Sequence, residues 1–135
     1  MLCHWPGMYT HGTKQGFAAL QRVILALNRN RADQIIWMKL NEIARYWAAK
    51  ELTRAKVADG GVSLSAPFAC PQFTIRIPGP ASGPPTIVAG TRQLTLRQVS
   101  TPRQLESGTW LSESESNVLC FDLPKGKSMV RISAP

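Results

Sequence analysis

The sequence is short of acidic residues, aromatics, cysteine and histidine, and each shortage removes a class of protein. Eight Asp+Glu stand against sixteen Lys+Arg in 135 residues, a formal net charge of +8. That surplus favours polyanionic partners in general and says nothing of the fold. Three cysteines, Cys3, Cys70 and Cys120, make neither a zinc-ligand spacing nor an even disulfide framework. The only histidines are His4 and His11, and no two aspartates are adjacent. No apolar run approaches the ~20 residues of a membrane-spanning helix. The best stretch, Phe17 to Leu27, is interrupted by Gln21 and Arg22. Residues 1–15 lack the continuous apolar core of a secretory signal, so the chain as written is expected to stay in the cytoplasm, off the membrane. What remains, 44% hydrophobic and 18% charged, is the composition of a globular chain.

The chain changes character near residue 58. Before it the sole proline is Pro6 and helical periodicity dominates; beyond it lie nine of the ten prolines, in Pro/Gly clusters between β-branched runs. The charge is uneven too, +6 over residues 1–57 and +2 over 58–135. Phe17, Leu20, Ile24 and Leu27 form one stripe of a helix expected over Gly16–Asn28. Ile35–Met38 is an unbroken apolar run suited to a strand buried on both faces. A second helix follows, capped by Asn41, with Glu42 at its positive end. Ile43, Ala44, Trp47 and Ala48 mark its expected buried face, and Trp37 and Trp47 are expected in the core. Leu2-Cys3 suits the end of another buried strand.

The second part predicts short strands at Val62–Ser65, Phe73–Ile77, Thr86–Ala89, Gln93–Val99, Thr109–Ser112, Val118–Leu123 and Ser128–Ser133. Alternation is plain in Phe73-Thr74-Ile75-Arg76-Ile77, which fits an antiparallel strand with one wet face. Asp59-Gly60-Gly61, Ala89-Gly90-Thr91 and Lys125-Gly126-Lys127 read as turns. Seven such strands suggest a small sandwich or an open barrel. The fold class expected is therefore α+β, an α/β edge of two helices and one or two strands followed by a small antiparallel β-sandwich.

Two segments carry a more specific pattern. One is Leu2-Cys3-His4-Trp5-Pro6-Gly7-Met8-Tyr9 ahead of the first helix; the other runs from Ile36-Trp37-Met38-Lys39 to Lys50. Together they resemble the last part of the catalytic barrel of the polysaccharide deacetylase family, in which an apolar residue, any residue and a histidine close a late strand. The resemblance implies that residues 1–57 are the C-terminal end of a deacetylase-like barrel, 58–61 a linker, and 62–135 an accessory sandwich. It implies His4 as the general acid toward the leaving amine, with Trp5, Met8 and Tyr9 lining a sugar cleft. It also implies metal-dependent hydrolysis of N-acetyl groups by an intact member, normally with zinc. A metal-bound water needs three protein ligands and an open position. This sequence offers no Asp-Asp pair and no His-x-x-x-His motif, so no metal ligands are assigned and the chain is expected to be inactive alone, a fragment of a larger protein.

His11 reads as a loop residue, and Glu42 with Arg45 as a surface ion pair. Cys70 and Cys120 suit either buried thiols or one disulfide, with three reduced thiols favoured. The expected partner is a polysaccharide, and the apolar helix stripes imply self-association if left uncovered. Two other classes stay open. A small basic nucleic-acid-binding protein is disfavoured because its cations are dispersed and no recognition motif is present. A non-catalytic carbohydrate-binding or interaction module formed by residues 62–135 is the other.

Overall fold

The computed structural model describes residues 4–79, 81 and 83–132. Leu2 and Cys3, and with them the expected first strand, lie outside the described residues. The fold is α+β, and it divides into two compact units, the first ending at Met38 and the second beginning at Lys39. The change of composition near residue 58 thus falls inside the second unit.

The first unit is helical. α1 (Trp5–Tyr9) carries Pro6 in its first turn, where a missing N–H costs nothing. A 3-10 turn over Thr10–Gly12 leads to α2 (Gln15–Arg31). α1 and α2 meet through glycine: a Cβ on Gly16 would collide with the Gly7 carbonyl oxygen. Arg29 and Arg31 occupy the last turn of α2, where cations meet the negative end of the helix. Of the predicted stripe, Leu20 and Ile24 are half-buried, while Phe17 and Leu27 are exposed. Residues 35–38 do not form the expected buried strand. They form no strand, and Ile36, Trp37 and Met38 are all exposed. Unbroken apolar character alone did not distinguish a strand from an uncovered segment. Trp37 is held by its indole N–H, which donates to Asn28 Oδ1 at 2.6 Å.

The second unit opens with α3 (Leu40–Leu52). Its cap is not Asn41. Lys39 is the N-cap residue, and the Glu42 carboxylate reaches back to accept from the Lys39 N–H at 2.8 Å. Nine strands follow: β1 (Arg54–Ala58), β2 (Gly61–Ala66), β3 (Cys70–Pro78), β4 (Thr86–Ala89), β5 (Arg92–Thr95), β6 (Arg97–Val99), β7 (Thr109–Ser112), β8 (Ser116–Leu123) and β9 (Gly126–Arg131). They form a five-stranded sheet in the order β1-β2-β9-β4-β5 and a four-stranded sheet in the order β3-β8-β7-β6. All pairings are antiparallel except β6 with β7.

Alternation along each strand builds the core between the sheets. Leu64, Ala66, Ile87 and Val130 from the first sheet pack with Phe73, Trp110, Leu119, Phe121 and Leu123 from the second. Phe73 and Phe121, paired across β3 and β8, meet edge to face with ring centroids 6.3 Å apart. A smaller cluster of Val99, Leu111 and Val118 lies apart from that core, covered by Leu105.

The predicted Gln93–Val99 strand is in fact two. The chain leaves β5 in one sheet and enters β6 in the other, pivoting at Leu96, which is 2% exposed and donates its N–H to the Pro85 carbonyl. β1 falls where the sequence reading placed the end of the α part.

The core-facing side of α3 also differs from expectation. Tyr46 and Ala49 face the sandwich, with Tyr46 5.8 Å from the Phe73 ring and Ala49 1% exposed. Trp47 is 66% exposed, and Leu40 and Ile43 share its outward stripe. The competing pattern was a second apolar stripe one position round the helix.

Candidate functional site

His4 is the N-cap residue of α1, in extended conformation and exposed, and its carbonyl accepts the Met8 N–H at 3.2 Å. Trp5 and Tyr9 are the first and last residues of this short helix. Met8 is half-buried and Tyr9 exposed. His11 takes a left-handed backbone conformation, φ 54°, in the turn that follows. The turn is tied by side chains, Thr10 Oγ1 donating to the Gly7 carbonyl and Thr13 Oγ1 to the Thr10 carbonyl. The structure thus places the four predicted site residues within one turn-and-a-half of chain. Among the described residues no three His, Cys, Asp or Glu side chains come together as a metal centre.

The second unit carries a surface feature that sequence reasoning missed. The five-stranded sheet leaves the inward side of its edge strand β1 uncovered. Ala55 and Val57 pair in register with Leu64 and Val62 of β2, so they share the inward face. Leu64 is 1% exposed, yet Val57 is 91% exposed. The result is an open groove of about 650 Å³ between the β1–β2 hairpin and β3. Val57, Val62, Ile75, Ile77 and Ile132 give it apolar walls, and Lys50 of α3 is a cation on its border.

β3 presents an unpaired edge along this groove, since among the described residues its only ladder partner is β8. Thr74 and Arg76 also border the groove, although they alternate with the inward Phe73, Ile75 and Ile77. Arg76 is committed elsewhere, to Glu113 at 2.6 Å. The usable edge has definite ends. A bulge at Pro71-Gln72, where Gln72 has φ 51° and donates its N–H to Asp122 Oδ1 at 3.0 Å, interrupts it on one side, and Pro78 closes it on the other.

The groove had one legible signal. Asp59-Gly60, already recognisable as a turn, is flanked by Val57 and Val62, which is the mark of a hairpin whose first strand is β1.

The two described cysteines lie on opposite faces of the four-stranded sheet. Cys70 belongs to the inter-sheet core, whereas Cys120 alternates with the inward Leu119 and Phe121. Both are free thiols, so the alternative of a Cys70–Cys120 disulfide does not hold. Burial pushes both thiols above their ordinary pKa, partly offset by Arg45 at Cys70 and by a hydrogen bond with Thr74 at Cys120. Such thiols are poor nucleophiles near neutrality.

Comparison of the chain with protein-family models, curated proteins and solved structures gives no match. Among the described residues, no helix is long and apolar enough to cross a membrane.

Proposed function

We propose that this chain is a carbohydrate-related, polysaccharide deacetylase-like protein without catalytic activity of its own. Its β-sandwich serves as an accessory module and α3 as a docking face for a further α/β layer. The observation that carries this reading is the outward stripe of Leu40, Ile43 and Trp47 on α3. It is the same face that helical periodicity marks for burial, and it is distinct from the Tyr46–Ala49 side that the sandwich covers. A helix with two apolar faces is one made to be packed from both sides.

A hydrolytic zinc needs three converging ligands, and among the described residues no three donors converge, with His4 exposed at the start of α1. In this reading His4 is a proton donor only when a partner layer docked on the chain supplies the rest of the site, and Trp5, Met8 and Tyr9 border the sugar.

Sedimentation velocity on the purified chain, together with retention on an insoluble N-acetylated polysaccharide, tests the proposal. The chain should self-associate through the α3 stripe and be retained by the polysaccharide, while zinc with an N-acetylated oligosaccharide yields no acetate. A Trp47→Gln, Ile43→Gln variant should shift toward monomer with its melting transition intact. A wild-type chain that is monomeric and indifferent to the polysaccharide defeats the reading, as does zinc-dependent release of acetate.

A further inference from the structure

We infer that the groove between β1 and β3 is a strand-acceptor site, into which an extended segment of an acidic partner protein adds as a fifth strand of the smaller sheet. This goes beyond the carbohydrate reading and does not depend on it.

Three features of the site converge on an extended peptide. The first is the unpaired edge of β3 from Phe73 to Ile77. At about 3.4 Å per residue these five residues offer roughly 17 Å of main-chain donors and acceptors. The second is the uncovered inner face of β1, with Val57 91% exposed where its register neighbour Leu64 is 1% exposed. A strand laid beside β3 lies opposite β1 and completes a five-on-five sandwich. The third is the apolar volume of about 650 Å³ between them. Every second side chain of an added strand points into that volume, toward Val57, Val62 and Ile77.

Main-chain groups decide against a lipid or other apolar small molecule. A hydrocarbon chain filling the groove would desolvate the β3 edge and leave its N–H and C=O groups without partners, which is costly for each group. A peptide strand satisfies the same groups. Charge decides against a second copy of this chain. No acidic residue lines the groove, and Lys50 borders it. The chain as a whole carries +8, so pairing of two copies at this edge sets like charge against like. The segment that fits alternates apolar with polar residues and carries a carboxylate at the end that meets Lys50.

The probe is a capped synthetic peptide, Glu-Val-Thr-Ile-Thr-Val-Glu, labelled with a fluorophore and titrated with the full 135-residue chain by fluorescence anisotropy. Saturable binding is expected. N-methylation of alternate residues, in the series whose N–H groups face β3, should weaken it at least about a hundredfold, because three main-chain hydrogen bonds are lost together at about 1 kcal/mol each and the methyls block the edge. N-methylation in the other series should change it less than about threefold. Val57→Asp should abolish binding while leaving the melting temperature unchanged, since that side chain is already exposed. Lys50→Glu should weaken this peptide and strengthen one ending in lysine. Equal loss from both N-methyl series, full binding by Val57→Asp, or no binding of the peptide overturns the inference. So does saturable binding of decanoate that excludes the peptide, or a dimer of this chain that occupies the groove.

Discussion

Val57 and Leu64 stand on the same face of one hairpin, yet they should respond to substitution in opposite ways. Val57→Thr keeps a β-branched side chain and its strand preference while removing apolar character. Burying a valine fully is worth roughly 1.5–3 kcal/mol. Val57 is 91% exposed, so about a tenth of that, some 0.3 kcal/mol, is at stake. Leu64→Ala empties a site that is 1% exposed and packed against both sheets, which costs about 2–5 kcal/mol. Urea unfolding followed by tryptophan fluorescence reads the difference, because Trp110 is 4% exposed and changes environment on unfolding. The two variants should share the wild-type m-value, with the midpoint displaced only for Leu64→Ala. A loss above about 1.5 kcal/mol for Val57→Thr would mean that something covers the inner face of β1 in solution, and the groove would not exist.

Two further outcomes follow from the same architecture. Gly61→Ala should destabilise the sandwich by about 1–3 kcal/mol, read as a lowered melting temperature, because the new Cβ meets the Val130 carbonyl of β9. Burial raises the pKa of Cys70 and Cys120 above the ordinary thiol value of 9.0, so in a Cys3→Ser background these two thiols should resist a thiol-specific reagent at pH 8 until denaturant is added. The sign of the linkage is fixed: with a folded pKa above the unfolded one, their contribution is complete below pH 9.0 and shrinks as pH rises beyond it. Urea midpoints that rise between pH 9 and 10 in wild type, relative to a Cys70→Ala, Cys120→Ala variant, would contradict this.

The strands were legible wherever one face is wet. Phe73–Ile77, Thr86–Ala89 and Thr109–Ser112 alternate or carry clear turn residues, and all three fall within observed strands. Failure followed two physical causes. Where the chain crosses from one sheet to the other at Leu96, the residue stays buried and the pattern runs on unbroken, so one strand is predicted for two. Where apolar residues are left uncovered, as at Ile36, Trp47 and Val57, no local rule announces it, because periodicity reports which residues share a face and not whether anything lies against it. β1 was lost for that reason; its residues are mostly exposed and its charges resemble a helix end. The predicted site at His4, Trp5, Met8 and Tyr9 was read from a resemblance to the deacetylase pattern; these residues lie at the start of α1 and along it, and among the described residues no donor cluster forms.

The two uncovered surfaces of the second unit have different origins, and that makes them separable. The α3 stripe exists because a helix carries two apolar faces while the sandwich takes one, through Tyr46 and Ala49. The groove exists because the inward face of β1 is left uncovered beside the β3 edge. If one large partner covered both, substitutions in either would couple. If they serve a packing layer and an extended segment respectively, Trp47→Gln should relieve self-association and leave peptide affinity within about threefold. Val57→Asp should then abolish peptide binding and leave the sedimentation coefficient distribution unchanged. The double variant should show the two effects without interaction, as expected when Val57 lines the groove and Trp47 does not. A coupling above about 0.5 kcal/mol between them would join the surfaces into a single interface and remove the distinction.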